Sequence, residues 1–331
     1  MQKLAFVGAG RWATALACGL CQRFDTVALY DCDADAVERL RTRRVHHDLP
    51  DSTRLPDTVV VSADPATVLD RADFVVFAVP AAAIDAAGRA VAALVPAEAA
   101  VVSVTKGFDP QSGERLSVVL GRALGRATAV LAGPGIPYDF AQGDPTSLVA
   151  ASADEPLAER VRDAFTHGML RVYSCPDTVG VETGAALKNV IALAVGIADG
   201  IGLGINARAA LVARGLAEMI RLGRALGADP ATFAGLSGVG DLVVTAFSDH
   251  SRNHALGVRI GRDGPFKSIQ PSLTGVAEGV GTCVVARRIA ADRGVELPIT
   301  EEVFRIVHEA CDPRVALRRL LARPPKKEVW S

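Results

Sequence analysis

Two spacings of apolar residues divide this chain. In the first half, short apolar runs alternate with stretches of helical periodicity. The runs at 3–7, 26–30, 59–62, 73–80, 99–104, 129–132, 146–150 and 170–173 predict strands. The run at 73–80 is unbroken rather than alternating, as in a strand covered on both faces of a parallel sheet. From residue 178 on, strand patterns stop and helix patterns take over. A helix over 181–192 is apolar nearly all round, so it should be buried. Another over 206–225 ends at Gly227-Ala228-Asp229-Pro230, a strong stop signal. The expected fold is α/β: a doubly wound parallel sheet in residues 1–177, then an all-helical C-terminal domain in 178–331.

Composition agrees with two domains. The chain has 331 residues, 50% of them hydrophobic, enough for two cores. A net charge of −1 gives no argument for a nucleic-acid or acidic-membrane partner, and none is expected. The basic cluster Arg39, Arg41, Arg43 and Arg44 reads as a solvated helix face. Six cysteines show no disulfide or zinc spacing, and Cys18 and Cys21 read as helix-packing residues rather than a redox pair. The run 190–198 is too short to span a bilayer, and no signal peptide is evident. A soluble cytoplasmic protein without a membrane span is expected.

The first strand runs into Gly8-Ala9-Gly10-Arg11-Trp12-Ala13 and then a helix, the G-x-G-x-x-A order of a Rossmann-type dinucleotide site. Gly8 permits the turn, Gly10 lets a diphosphate approach, and Ala13 lets the helix pack on the strand. Asp31 ends the second strand, 23 residues after Gly8, where a carboxylate binds ribose hydroxyls and repels a 2′-phosphate. NAD is therefore expected over NADP, although the basic cluster that follows weakens the argument. Asp33 should cap the next helix. Lys106 lies past the end of the fifth strand, where such sheets bind ligands. Gly133 and Gly135 allow close backbone approach or form an ordinary turn.

The second candidate centre is Lys188, inside the apolar helix. Either its pKa falls, or it finds a partner, or it snorkels to a wet face. The first two make it a proton donor and acceptor. Ser251-Arg252-Asn253 opens another helix. Ser251 is placed as an N-cap, and an anion there would meet backbone N–H groups and a guanidinium.

These motifs resemble bacterial NAD(P)-dependent glycerol-3-phosphate dehydrogenases over nearly the whole chain. The resemblance is carried by the glycine loop, Thr105-Lys106-Gly107, Gly133-Pro134, Leu187-Lys188-Asn189, Asn206-Ala207-Arg208, Gly240-Asp241-Leu242, Ser251-Arg252-Asn253 and Glu278-Gly279. It implies Lys188 as general acid/base, with Lys106 touching substrate and cofactor. It implies that Asp241 holds the substrate and the lysine, and that Ser251, Arg252 and Asn253 bind the phosphate end. Trp12, Arg252 and Glu278 would contact the cofactor. Gly133, Gly135 and Pro137 lie in a loop that touches both ligands, and Arg11, Ala13 and Cys32 stand at further cofactor positions. Two lysines converging should lower each other's pKa, opposed by Asp241.

Departures from the family pattern are Arg11, Ala13, Cys32 and the segment Gly135-Ile136-Pro137, which lacks a small hydroxyl residue. The expected reaction interconverts sn-glycerol 3-phosphate and dihydroxyacetone phosphate, with a homodimer as the expected assembly. The alternative is the same hydride chemistry on another small phosphorylated or phosphonate hydroxy compound. A noncatalytic dinucleotide sensor is the third reading, opposed by the presence of Lys106, Lys188, Asp241 and Arg252.

Overall fold

A computed structural model describes residues 2–270, 277–325 and Lys327. The expected solvated tail at 324–328 therefore lies partly outside the described residues.

The eight apolar runs form one sheet. In chain order its strands are β1 (Lys3–Val7), β2 (Thr26–Tyr30), β3 (Val60–Ser62), β4 (Phe74–Phe77), β5 (Ala100–Ser103), β6 (Ala129–Ala132), β7 (Thr146–Ala151) and β8 (Leu170–Cys175). Across the sheet the order is β3-β2-β1-β4-β5-β6-β7-β8. The order reverses between β1 and β4, and the crevice beyond that pair is where such sheets take ligands.

The sheet is not wholly parallel, as the sequence led us to expect. β6 and β7 run antiparallel, with Leu131 opposite Ala150. Their connection holds only a five-residue helix, too little to carry the chain back along the sheet for a parallel crossover.

Helices cover both faces: α1 (Arg11–Leu20), α2 (Ala34–Arg43), α3 (Pro65–Leu69), α4 (Ile84–Val91), α5 (Leu116–Leu124), α6 (Pro137–Ala141) and α7 (Glu155–Phe165). Asp33 caps α2 by accepting from the N–H groups of Asp35 and Ala36. Sequence reasoning missed α5, which has no capping side chain of its own. Its cap comes from far away: the Glu182 carboxylate accepts from the Ser117 N–H at 2.9 Å and the Ser117 hydroxyl at 2.6 Å, and pairs with Arg115 at 2.8 Å.

Arg44 does not belong to a solvated face. It ends α2 in the left-handed region, and its buried guanidinium donates to the carbonyls of Leu55, Pro56 and Val59. Those carbonyls, in a loop without a strand partner, need the donors.

After β8 come α8 (Thr178–Gly200), α9 (Ile205–Leu226), a π-helical turn at Leu236–Gly240, α10 (Asp241–Phe247), α11 (Arg252–Asp263), α12 (Phe266–Ile269), α13 (Glu278–Arg293), α14 (Pro298–His308) and α15 (Pro313–Leu321). α8 is the axis of this layer, buried without a break from Gly180 to Ala198. At 23 residues it exceeds the short apolar run that seemed unable to cross a bilayer, but its apolar window is wholly buried within the protein. α8 and α11 meet backbone to backbone: a Cβ on Gly257 would lie 2.4 Å from the Leu193 carbonyl oxygen, and one on Gly196 2.2 Å from that of His254.

Candidate active site

The glycine loop takes the shape its sequence requires. Gly8 has φ +101°, and a Cβ there would strike the Ala78 carbonyl at 2.9 Å. A Cβ on Gly10 would meet nothing within 4 Å, and Gly10 offers no side-chain cap to α1. The first N–H groups of α1 are thus left for an anion. Ala13 is fully buried. Asp31 is fastened to the loop, accepting from the Ala9 N–H at 2.8 Å and the Asp33 N–H at 3.0 Å. Cys32 is exposed beside it.

A cavity of about 780 Å³ lies between this end of the sheet and the helical layer. That is ample for a cofactor-sized ligand. Gly10, Arg11, Trp12, Gly135 and Pro137 line it from the sheet side, and Lys188, Ser251, Arg252, Asn253 and Glu278 from the helical side. Lys106 lines it between them, whereas Asp241 sits behind, fully buried. The open loop, the bare helix start and the size of the space fit a dinucleotide.

The π-helical turn delivers Asp241 to Lys188. A Cβ on Gly184 would lie 2.4 Å from the Ser237 carbonyl oxygen, so only glycine lets α8 approach that turn. Lys188 Nζ donates to Asp241 Oδ1 and, at 2.9 Å, to Thr245 Oγ1. The Thr245 hydroxyl donates to the Asp241 carbonyl at 2.6 Å. Lys106 Nζ donates to Asp241 Oδ2 at 2.9 Å and to the Gly133 carbonyl at 3.2 Å.

Lys188 is 4% exposed, which excludes a wet face or snorkelling. Burial lowers its pKa to about 7; Asp241 opposes the shift and Lys106 adds to it. The two lysines do not lower each other symmetrically, contrary to expectation. Burial would lower Lys106 too, but the charge and hydrogen bond of Asp241 outweigh it, and its pKa is raised. Lys106 is thus held as a cation, whereas burial shifts Lys188 towards the neutral amine.

Ser251 caps α11, accepting from the His254 N–H at 3.3 Å. Among the described residues neither Arg11 nor Arg252 has a hydrogen-bonded or ion-paired partner. Burial lowers the pKa of Arg11, and the charge of Arg252 lowers it further. Two neighbouring guanidiniums at two helix starts leave room for an anion.

Asn253 is committed to the frame. Its amide donates to Asn189 at 3.0 Å and accepts from the Gly279 N–H at 2.9 Å. Asn189 in turn donates to Glu278 at 2.9 Å. Gly133 sits at φ +140°. A Cβ on Gly135 would lie 3.0 and 3.2 Å from ring atoms of Trp12, so the missing side chain leaves no spare room there.

Sequence reasoning missed Thr245 and Asn189 as parts of the site. Thr245 stands four residues after Asp241 on one helix face, and Asn189 follows Lys188, so spacing could have found both. The six cysteines are unpaired, and burial pushes the Cys18 thiol up to about 12, the inert state expected of a packing residue. His46, His47 and Asp48 cluster at the rim with ligand atoms within 4.8 Å. The two rings stack at 4.4 Å and 20°, and His46 Nδ1 already accepts from the Asp48 N–H at 3.1 Å.

Comparison with known proteins agrees with this geometry. Residues 3–158 match the family described as NAD-dependent glycerol-3-phosphate dehydrogenase N-terminus, and 177–318 the corresponding C-terminus. The chain is 40% identical to glycerol-3-phosphate dehydrogenase [NAD(P)+] of Geobacillus kaustophilus, over 99% of this chain and 97% of that protein. It is 41% identical to the Geobacter metallireducens protein of the same name, over 99% of each. The crystal structure of the Coxiella burnetii glycerol-3-phosphate dehydrogenase superposes with a TM-score of 0.92 at 33% identity, covering 97% of this chain and 99% of that one.

Proposed function

The chain belongs to the NAD-dependent glycerol-3-phosphate dehydrogenase family, and we propose from its geometry how the residues divide the work. It is an oxidoreductase that interconverts sn-glycerol 3-phosphate and dihydroxyacetone phosphate with a nicotinamide cofactor. When bound, the cofactor would supply or accept the hydride at substrate C2.

Residues 1–177, joined by Glu278, would hold the dinucleotide. Gly8, Gly10, Ala13 and the bare start of α1 would hold the diphosphate, with Arg11 offering a cation. Trp12, Pro137 and Glu278 would contact the nicotinamide cofactor. Asp31 takes the ribose hydroxyls, and Cys32 brings no cation for a 2′-phosphate, which supports NAD over NADP.

Residues 178–331 carry the proton and phosphate chemistry. Lys188 donates a proton to the C2 oxygen as the carbonyl is reduced, and takes it back in the reverse direction. Lys106 orients the same oxygen as a fixed cation. Asp241 aims both ammonium groups. Ser251, Arg252 and the N–H groups of α11 bind the phosphate, Asn253 bracing that turn and Gly133 and Gly135 forming the facing wall. Binding energy from the phosphate positions C2.

The single observation that carries this reading is the Lys106–Asp241–Lys188 constellation opening on the cavity. The alternative substrate class rested on the missing hydroxyl at Gly135, and the contact of that glycine with Trp12 gives a different substrate no added room. We extend the reading to a homodimer, which sedimentation tests, and to the cytoplasm, with which six unpaired cysteines accord.

The test is oxidation of NADH and of NADPH with dihydroxyacetone phosphate, on wild type and Lys188→Ala. Turnover with NADH that falls at least about 100-fold in the variant is expected. No turnover with either cofactor would overturn the substrate reading; preference for NADPH would overturn only the cofactor reading.

A further inference from the structure

The substrate cleft has one wall from the sheet layer and one from the helical layer. Its inner end is tied by the Lys106–Asp241 ion pair at 2.9 Å. Its outer end is spanned by a ring pair that the reaction itself does not call for. Tyr138, on α6, stacks on His250 with ring centroids 3.9 Å apart and 22° between planes. His250 Nε2 lies 3.9 Å from Asp139 Oδ1, on the same α6.

His250 belongs to the cavity wall, and Tyr138 is one residue away from it. Tyr138 follows Pro137, which lines the cavity and whose ring fixes the start of α6. His250 lines the cavity and precedes Ser251, the cap of α11. The His250 N–H is itself bonded to Ser248 Oγ at 3.2 Å and the Ser251 N–H to the Ser248 carbonyl at 3.0 Å, so His250 and the cap share one short turn.

We propose that Tyr138 and His250 are positioning residues that hold the Ser251–Asn253 turn against the Gly133–Pro137 loop and so close the phosphate subsite. This rests on the reading that the start of α11 binds the substrate phosphate. Hydrogen bonds from N–H groups act over about 3 Å, so a displacement of the turn by an ångström loses the anion. The His250 side chain is 43% exposed, so the rings can part to admit substrate without opening a core.

The test uses the full chain. Tyr138→Ala and His250→Ala should each raise KM for dihydroxyacetone phosphate about tenfold, as expected for a misplaced binding group. kcat and KM for NADH should stay within about twofold of wild type on the same argument. The double variant should be no worse than the worse single one, because the two rings act as one contact. Tyr138→Phe keeps the ring and should restore the wild-type KM. An unchanged KM for the phosphate substrate, an equal rise in KM for NADH, or multiplying effects in the double variant would overturn the proposal.

A second readout needs no turnover. With NADH saturating, inorganic phosphate should raise the melting temperature of wild type more than that of Tyr138→Ala. Equal shifts would overturn the stack's role. A wild type that gains this shift yet fails to reduce dihydroxyacetone phosphate would overturn the substrate reading and leave the positioning role standing.

Discussion

Lys106 and Lys188 are bound to opposite oxygens of one fully buried carboxylate, that of Asp241. Two ammonium groups share a single negative charge, so both cannot be fully compensated. The deeper one yields: the Lys188 side chain is 5% exposed and that of Lys106 16%. Lys188 falls to about 7, whereas Lys106 is raised. One carboxylate thereby leaves two identical side chains in different states, one shifted towards the neutral amine and one held as a cation.

Asp241→Asn keeps the shape and removes the charge. It strands two buried cations, with a stability cost of about 3 kcal/mol. kcat should fall about 100-fold, because neither lysine is then aimed or correctly charged. Urea denaturation and NADH oxidation read the two effects. A fully active Asn variant would deny Asp241 its organising role.

The pH profile should invert with direction. Carbonyl reduction needs protonated Lys188, so its kcat/KM falls as pH rises through about 7. Alcohol oxidation needs the neutral amine, so its kcat/KM rises through the same pH. Stability follows a related rule. The folded state binds the Lys188 proton less tightly than the unfolded chain, whose reference is 10.5, so stability contributed at this site rises between about 7 and 10.5. Lys188→Met should remove that rise in a melting series across this range.

Arg11→Ser should weaken NADH binding about tenfold, the loss of one charge-assisted contact to the diphosphate. It should also flatten the dependence of that binding on salt, since one cation fewer is screened. A fluorescence titration of NADH at low and high ionic strength measures both. Unchanged affinity would place the Arg11 guanidinium off the cofactor.

Asp31→Ser with Cys32→Arg should shift preference towards NADPH by about tenfold or more, by exchanging a repelling carboxylate for a guanidinium. The same change should lower the melting temperature, because Asp31 also holds the Ala9 and Asp33 N–H groups. The ratio of kcat/KM for the two cofactors decides the point.

Much of the architecture was legible in the sequence because its causes are local. β1 and β2 lie at the expected residues, Asp33 and Ser251 cap the helices they were expected to cap, and Gly227 ends α9 in the left-handed region. Where the cause lay elsewhere in the chain, the sequence was silent or misleading. α5 was missed because Glu182, 65 residues beyond Ser117, supplies its cap. Arg44 looked solvated because its acceptors are the carbonyls of a later loop.

The active site divides in the same way. Residue order alone determined the glycine loop, the lysine within an apolar helix, and the serine–arginine helix start, since turn chemistry and apolar spacing act within a few residues. Only the tertiary structure decided that Asp241, 135 residues from Lys106 and 53 from Lys188, should stand between them. It alone set which lysine titrates, because a pKa answers to burial and to charges a few ångströms away in space, whatever their separation along the chain.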